Sequence, residues 1–306
     1  IKEELASFKY SSGCCKVACL SAFLRTAGTV FVRGGNVGFS FSTESALTAE
    51  FFDGIIRGSF AEEGKTTTLS GGRDKIVCEY VSGGTLGVLA ELGLVAVSAS
   101  GVDVVMGIDR YVTEAECCKR AYVAGAFLGG GSCTVPTNEG AKNTVYHMEF
   151  VFSYYETAHA FTEILADFDI IAKLIKRKNS FVVYLKNNDE IQEVLSLTGA
   201  ENSSLFLAET VVKKDYNNKV NRKLNCDLSN ISKQVAAAGR QIEAIETISS
   251  TIGLESLRPE LKEVCLLRLS DDLLTLDEMA KTLGVTKSCV NHRLRKIIEI
   301  ASEIKN

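Results

Sequence analysis

Hydrophobic and polar positions change period along the chain. Residues 14–28 and 117–131 are helix-length runs dominated by small and apolar side chains. Alternating, strand-like runs follow each of them, at 30–32 and 37–42 in the first stretch and at 145–153 in the second. Helix-period runs come next, at 44–56 and 156–167, and further strand-like runs lie at 75–81 and 181–185. Beyond about residue 220 the alternation is gone. Leu228, Ile231, Val235, Ile242, Ile245 and Ile248 predict one apolar helical stripe over 221–252. Residues 254–269 read as supporting helices, with Pro259 near a helix start. The pattern predicts class α+β: a duplicated helix–strand–strand–helix domain followed by an all-α domain.

The duplication is visible in the residues. Cys14-Cys15-Lys16 and Cys117-Cys118-Lys119 begin two segments offset by 103 residues. In this register Ala18 matches Ala121, Leu20 matches Val123, Ala22 matches Gly125, and Gly28 matches Gly131. Small residues on one face let two helix backbones approach closely, which predicts that the two helices pair. Gly129, Gly130 and Gly131 also read as a helix end and turn. The expected organisation is a domain at 1–205, with repeats at about 10–100 and 113–200. A linker at 206–220 and a helical domain at 221–306 follow.

The sharpest local signal lies at about 275–298, a helix-turn-helix pattern. Thr275 followed by Glu278 is a capping box, Gly284 supplies the turn, and Thr286 caps the next helix. Ala280 is small where the helices cross. Met279, Leu283, Val285, Val290 and Leu294 are expected to fill the space between them. Val290, Leu294, Ile297 and Ala301 then face inward. Lys287, Ser288, Asn291, His292 and Arg295 face outward, as a set suited to base edges and phosphates. Thr286, Arg293 and Lys296 flank that set, with Arg293 and Lys296 toward phosphate. The expected partner is double-stranded DNA.

Charge agrees once it is divided. The net charge is −4, but residues 221–306 hold 13 Lys/Arg against 12 Asp/Glu, whereas residues 1–220 hold 21 against 26. From Lys281 to Ile298 there are five basic residues and no acid. A local basic stripe governs phosphate binding more than the global balance does. Asn221, Arg222 and Asn225 crowd the expected start of the 221–252 helix. They read either as DNA contacts or as caps and interdomain hydrogen bonds.

Other chemistry is sparse. The chain has 10 Cys and no CxxC pair, so zinc-finger spacings are absent. The paired cysteines could gather four sulfurs if the two helices pair. Because adjacent residues point around different sides of a helix, buried packing is the favoured reading and no metal is expected. His147, His159 and His292 make no ligand spacing, and no Ser-His-Asp pattern is visible. The glycines at 34–35, 71–72, 83–84 and 129–131 fit no phosphate loop. No cofactor and no catalytic residue is expected. Residues 86–106 are too polar and Gly-rich for a membrane span, and no signal-peptide pattern opens the chain. These readings predict a cytoplasmic, nucleoid-associated protein.

The run from Tyr122 to Gly131 resembles the LAGLIDADG helix of homing endonucleases. The resemblance implies two paired helices between flanking sheets. It also implies a catalytic, metal-binding carboxylate just before the motif's last glycine. Ala27 and Gly130 stand there, and Arg25 and Leu128 stand at the motif's other acidic position. Together with the helix-turn-helix, the run at 121–132, the segment at 221–225 and the segment at 290–295 resemble the WhiA family over nearly the whole chain. Asn230 also fits, although Ser229 stands where that family often has alanine. The resemblance implies a transcription regulator of sporulation or cell-division genes that has lost cleavage. The alternative is an architectural or interaction protein, in which the N-terminal domain binds a protein or ligand and DNA contact is nonspecific.

Overall fold

A computed structural model describes residues 1–70, 74–99, 101–136, 145–270 and 274–305. The glycines at 71–72 lie outside the described residues. The chain divides into two compact units, Ile1–Lys213 and Lys214–Asn306.

In the first unit a short α1 (Lys2–Ala6) precedes α2 (Gly13–Ala27), β1 (Gly28–Arg33), β2 (Asn36–Thr43), α3 (Ala46–Phe60), β3 (Lys65–Leu69), β4 (Lys75–Tyr80) and α4 (Thr85–Glu91). A small hairpin, β5 (Val95–Ser98) and β6 (Gly101–Val104), leads into the second repeat. That repeat runs α5 (Glu116–Gly130), β7 (Gly131–Thr134), β8 (His147–Phe152), α6 (Tyr155–Ala166), β9 (Lys173–Arg177), β10 (Ser180–Leu185) and α7 (Asn188–Thr198). The duplication is therefore real and longer than expected, since each copy is α-β-β-α-β-β-α. The sheets have the same antiparallel order, β1-β2-β4-β3 and β7-β8-β10-β9. Gly34 and Gly35, both at positive φ, form the two-residue turn that joins β1 to β2.

The two small-residue helices pack against each other at the centre of the unit. Gly125 explains how close they come: a Cβ there would overlap the Cys19 carbonyl oxygen and sit 2.8 Å from its carbon. Each sheet covers the pair with one apolar face. Phe39, Phe41 and Tyr80 line the first, and Met148, Phe150 and Phe152 the second. Phe23 stacks on Phe52, with ring centroids 3.7 Å apart, and so ties α2 to α3.

The helix α8 (Glu201–Thr251) is 51 residues long. Its start is capped by Glu4, whose carboxylate accepts the Asn202 N–H at 2.7 Å and the Ser203 N–H at 3.2 Å. Two expectations change here. No irregular linker occupies 206–220, because those residues lie inside α8, and the division between units falls within that helix. Leu228, Ile231 and Val235 are exposed, and only Ile245 and Ile248 of the expected stripe are fully buried.

In the second unit the end of α8 is followed by α9 (Pro259–Ser270), α10 (Leu276–Thr282) and α11 (Lys287–Lys305). Ile245, Ile248, Leu261, Val264, Met279, Val290, Leu294 and Ile297 form its core. Among the described residues, no helix is long and apolar enough to cross a membrane.

Candidate nucleic-acid interface

The helix-turn-helix is built by short-range chemistry. The Thr275 hydroxyl accepts the Glu278 N–H at 3.3 Å, and the Glu278 carboxylate accepts the Thr275 N–H at 2.8 Å. Those bonds, the Thr275 backbone N–H first, hold the Glu278 carboxyl below its ordinary range. After α10 the Gly284 backbone takes φ +65, and Val285 N–H donates to the Ala280 carbonyl at 3.0 Å. A residue with a Cβ adopts that backbone only at a cost. Thr286 then caps α11, its hydroxyl accepting the Cys289 N–H at 3.3 Å.

Burial sorts α11 as the spacing expects. Val290, Leu294, Ile297 and Ala301 are buried, and Met279 and Ala280 close against them from α10. Leu283 and Val285 are half-buried at the rim of that core. On the opposite side Thr286, Lys287, Ser288, His292 and Arg295 are exposed, while Asn291, Arg293 and Lys296 are half-buried. Ser288, Asn291 or His292, and Arg295 recur at three- and four-residue steps, so they share one face.

Several basic residues have partners that their spacing did not reveal. Lys287 Nζ lies 2.7 Å from Asp277 across the turn. Lys296 Nζ lies 2.7 Å from Glu299, a bond that raises the Lys296 pKa. Arg293 donates to the Glu260 carbonyl at 3.4 Å. Arg295 forms no ion pair among the described residues. Arg268 on α9 is buried and donates to the Leu274 carbonyl at 2.7 Å, so it holds the segment entering α10. Sequence reasoning missed Arg268 and Asp277 because their bonds span 6 and 10 residues and follow no helical period.

Asn221, Arg222 and Asn225 are exposed on α8, and position 225 is three and four residues beyond the other two. They lie in the interior of a continuous helix. Helix capping is thereby excluded for them, since caps act on terminal N–H groups.

The helix ends that resemble a nuclease motif are built differently in this chain. Arg25 donates to the Gly93 carbonyl at 2.6 Å and to the Val105 carbonyl at 2.8 Å, so it secures the β5–β6 hairpin. Ala27 offers no ligand atom. A Cβ on Gly130 would sit 2.6 Å from the Val151 carbonyl oxygen and 3.0 Å from Thr26 Cβ, which leaves no room for an acidic side chain. These residues do not fit a divalent ion held for phosphodiester cleavage.

The paired cysteines depart from expectation. Cys14, Cys15, Cys117 and Cys118 bring their sulfurs within 4.8 Å of one another. Adjacent helical positions differ by about 100°, so two neighbours can both fall on the half of a helix that faces its partner. His147 Nε2 lies 3.1 Å from Glu149 on β8, and His159 is exposed on α6.

Comparison with known proteins agrees with this architecture. The WhiA C-terminal HTH domain matches residues 220–301, and the WhiA LAGLIDADG-like domain matches residues 119–217. A protein named probable cell division protein WhiA from Alkaliphilus metalliredigens is 35% identical, over 98% of this chain and 95% of its own. One of the same name from Thermoanaerobacter pseudethanolicus is 37% identical, over 99% and 96%. Among solved structures, full-length WhiA from Thermotoga maritima superposes with a TM-score of 0.59 at 25% identity, over 99% of this chain and 96% of that one.

Proposed function

The chain belongs to the WhiA family, and on that premise we propose that it is a sequence-specific DNA-binding transcription regulator without nuclease activity. The name of its relatives points to cell-division genes as targets, and the resemblance to the family implies sporulation genes besides. The observation that carries the reading is the α11 face. A capped, Gly-turned helix presents Ser288, Asn291, His292 and Arg295 on the side opposite its buried seam. Asn suits adenine and Arg suits guanine in the major groove. Lys287, Arg293 and Lys296 would add phosphate contacts, and Asn221, Arg222 and Asn225 a further polar patch on α8. The site of action is cytoplasmic, at the nucleoid.

Side chains support the proposed loss of cleavage. Ala27, Gly130 and Arg25 occupy the positions where a LAGLIDADG nuclease needs acids, and Gly130 lacks the space for one. A supercoiled plasmid incubated with the full chain and magnesium or manganese is expected to stay intact. Nicking that disappears on mutating residues at the ends of α2 or α5 would refute this part.

A second reading has its own support and concerns the first unit. On that unit Arg33 pairs with Glu79 at 3.0 Å, Arg177 with Glu149 at 2.9 Å and Lys119 with Asp167 at 2.5 Å. With the acidic balance of residues 1–220, such a surface suits a protein partner better than a phosphate grip. Genome-wide mapping of bound DNA separates the two readings. A recurrent motif under the bound sites supports sequence-specific regulation. Uniform coverage with steep salt dependence supports architectural binding.

A further inference from the structure

Four sulfurs meet where the two central helices begin. Cys14 and Cys15 are the second and third residues of α2, and Cys117 and Cys118 hold the same places in α5. Their Sγ atoms all lie within 4.8 Å of one another. From this geometry we infer that the chain binds a single soft divalent metal ion of the zinc class through these four thiolates. The site is separate from the DNA-reading face and does not depend on that reading.

The spacing suits one ion. Zinc bonds thiolate sulfur at about 2.3 Å, so a tetrahedral site sets its sulfurs about 3.8 Å apart. Closing the cluster from at most 4.8 Å to that spacing is a contraction of about 1 Å, within reach of side-chain rotation. An iron–sulfur cluster spreads its cysteines over separate irons, whereas here all four are mutual neighbours. Four protein ligands close the coordination shell, which is the arrangement of a structural site rather than a catalytic one.

The surroundings suit negative charge. Neither α2 nor α5 carries a side-chain cap, so both helices bring their positive dipole ends to the sulfurs, with Glu116 of the first α5 turn paired to Arg120. A divalent cation favours the thiolates it needs, because a coordinated thiol is deprotonated outright. Cys14 and Cys117 are exposed, and a groove of about 390 Å³ borders Cys15 and Cys117, so an ion has a route in. Once bound, it ties the start of one repeat to the start of the other.

The test uses the full-length chain purified from zinc-supplemented medium under reducing conditions and then desalted. Elemental analysis is expected to find about one zinc per chain. Cobalt(II) exchanged into the protein is expected to give the charge-transfer and ligand-field bands of a tetrahedral tetrathiolate. The double variant Cys14→Ser/Cys117→Ser removes two exposed ligands and should lower zinc content by about tenfold or more. Cys226→Ser, an exposed cysteine on α8, should leave it unchanged. Circular dichroism confirms that each variant is folded. The inference is overturned if reduced protein holds no zinc after reconstitution, if the double variant keeps its metal, or if the cysteines form a disulfide that persists under those conditions.

Discussion

Substituting Gly125 by alanine tests the contact on which the first unit is built. The added Cβ would meet the Cys19 backbone of α2, with its carbonyl oxygen overlapped, the carbon 2.8 Å away and the Cα 3.0 Å away. Backbone in a buried helix cannot rotate aside, so the helices must separate. Overpacking of this kind costs about 1–3 kcal/mol, and the rigid neighbour places Gly125→Ala near the upper end. Alanine regains up to about 1 kcal/mol of helix propensity, which leaves a net loss of about 2 kcal/mol. For a unit of this size that is a fall of about 4–8 °C in Tm. Gly54→Ala and Gly58→Ala on α3 are the controls, since a Cβ at either position meets nothing within 4 Å. Each should stabilise by about 0.5–1 kcal/mol. Tyrosine fluorescence follows the right transition, because of nine tyrosines only Tyr216 lies outside the first unit. If all three variants shift Tm upward, the helices do not approach as closely as described and the duplicated-helix core is wrong.

Three further outcomes are expected. Thr275→Ala should destabilise the second unit by about 1 kcal/mol, read by urea unfolding followed by far-UV circular dichroism. Because the folded Glu278 pKa is depressed, the carboxylate's share of that cap is full above the ordinary value of about 4.3. It is lost as pH falls through the lower folded value, so Glu278→Gln should flatten this part of the stability profile. Asp277→Asn should free Lys287 from its 2.7 Å partner and tighten DNA binding by about two- to fivefold at low salt, because an exposed pair is worth up to about 1 kcal/mol. Equal affinities would place Lys287 away from phosphate. Gly130→Asp should lower Tm without creating cleavage, since its Cβ lacks space beside Val151; magnesium-dependent nicking by that variant would contradict the steric argument.

What the sequence made legible was local and periodic. The α11 face could be read because Val290, Leu294, Ile297 and Ala301 repeat with a helical period and Thr275, Gly284 and Thr286 mark the ends. The paired helices could be read because small residues recur at one offset. The outer strands β3 and β9 could not. All of Lys65–Leu69 is exposed and Lys173–Arg177 is mostly so, so neither shows the apolar alternation that marks a half-buried strand. The stretch at 206–220 reads as a linker in the sequence and is helix in the structure. Its apolar residues Val212, Tyr216 and Val220 stand four apart among polar neighbours and stay exposed, yet no Gly or Pro interrupts residues 201–238. The partners of Arg25 lie 68 and 80 residues away, and the four-sulfur cluster joins positions 103 apart. Only tertiary packing brings such groups together.

The central claim is that α11 reads DNA sequence. Its most direct test is the ratio of affinities for a duplex selected from the bound genomic sites and for a scrambled duplex of the same length. The ratio should be measured at one fixed salt concentration with the full chain and with Asn291→Ala/Arg295→Ala. Losing two base contacts at about 1–3 kcal/mol each should lower the ratio by about thirtyfold or more while leaving scrambled-duplex binding nearly intact. An unchanged ratio in a folded double variant would contradict the claim and move the specific contacts elsewhere in the chain.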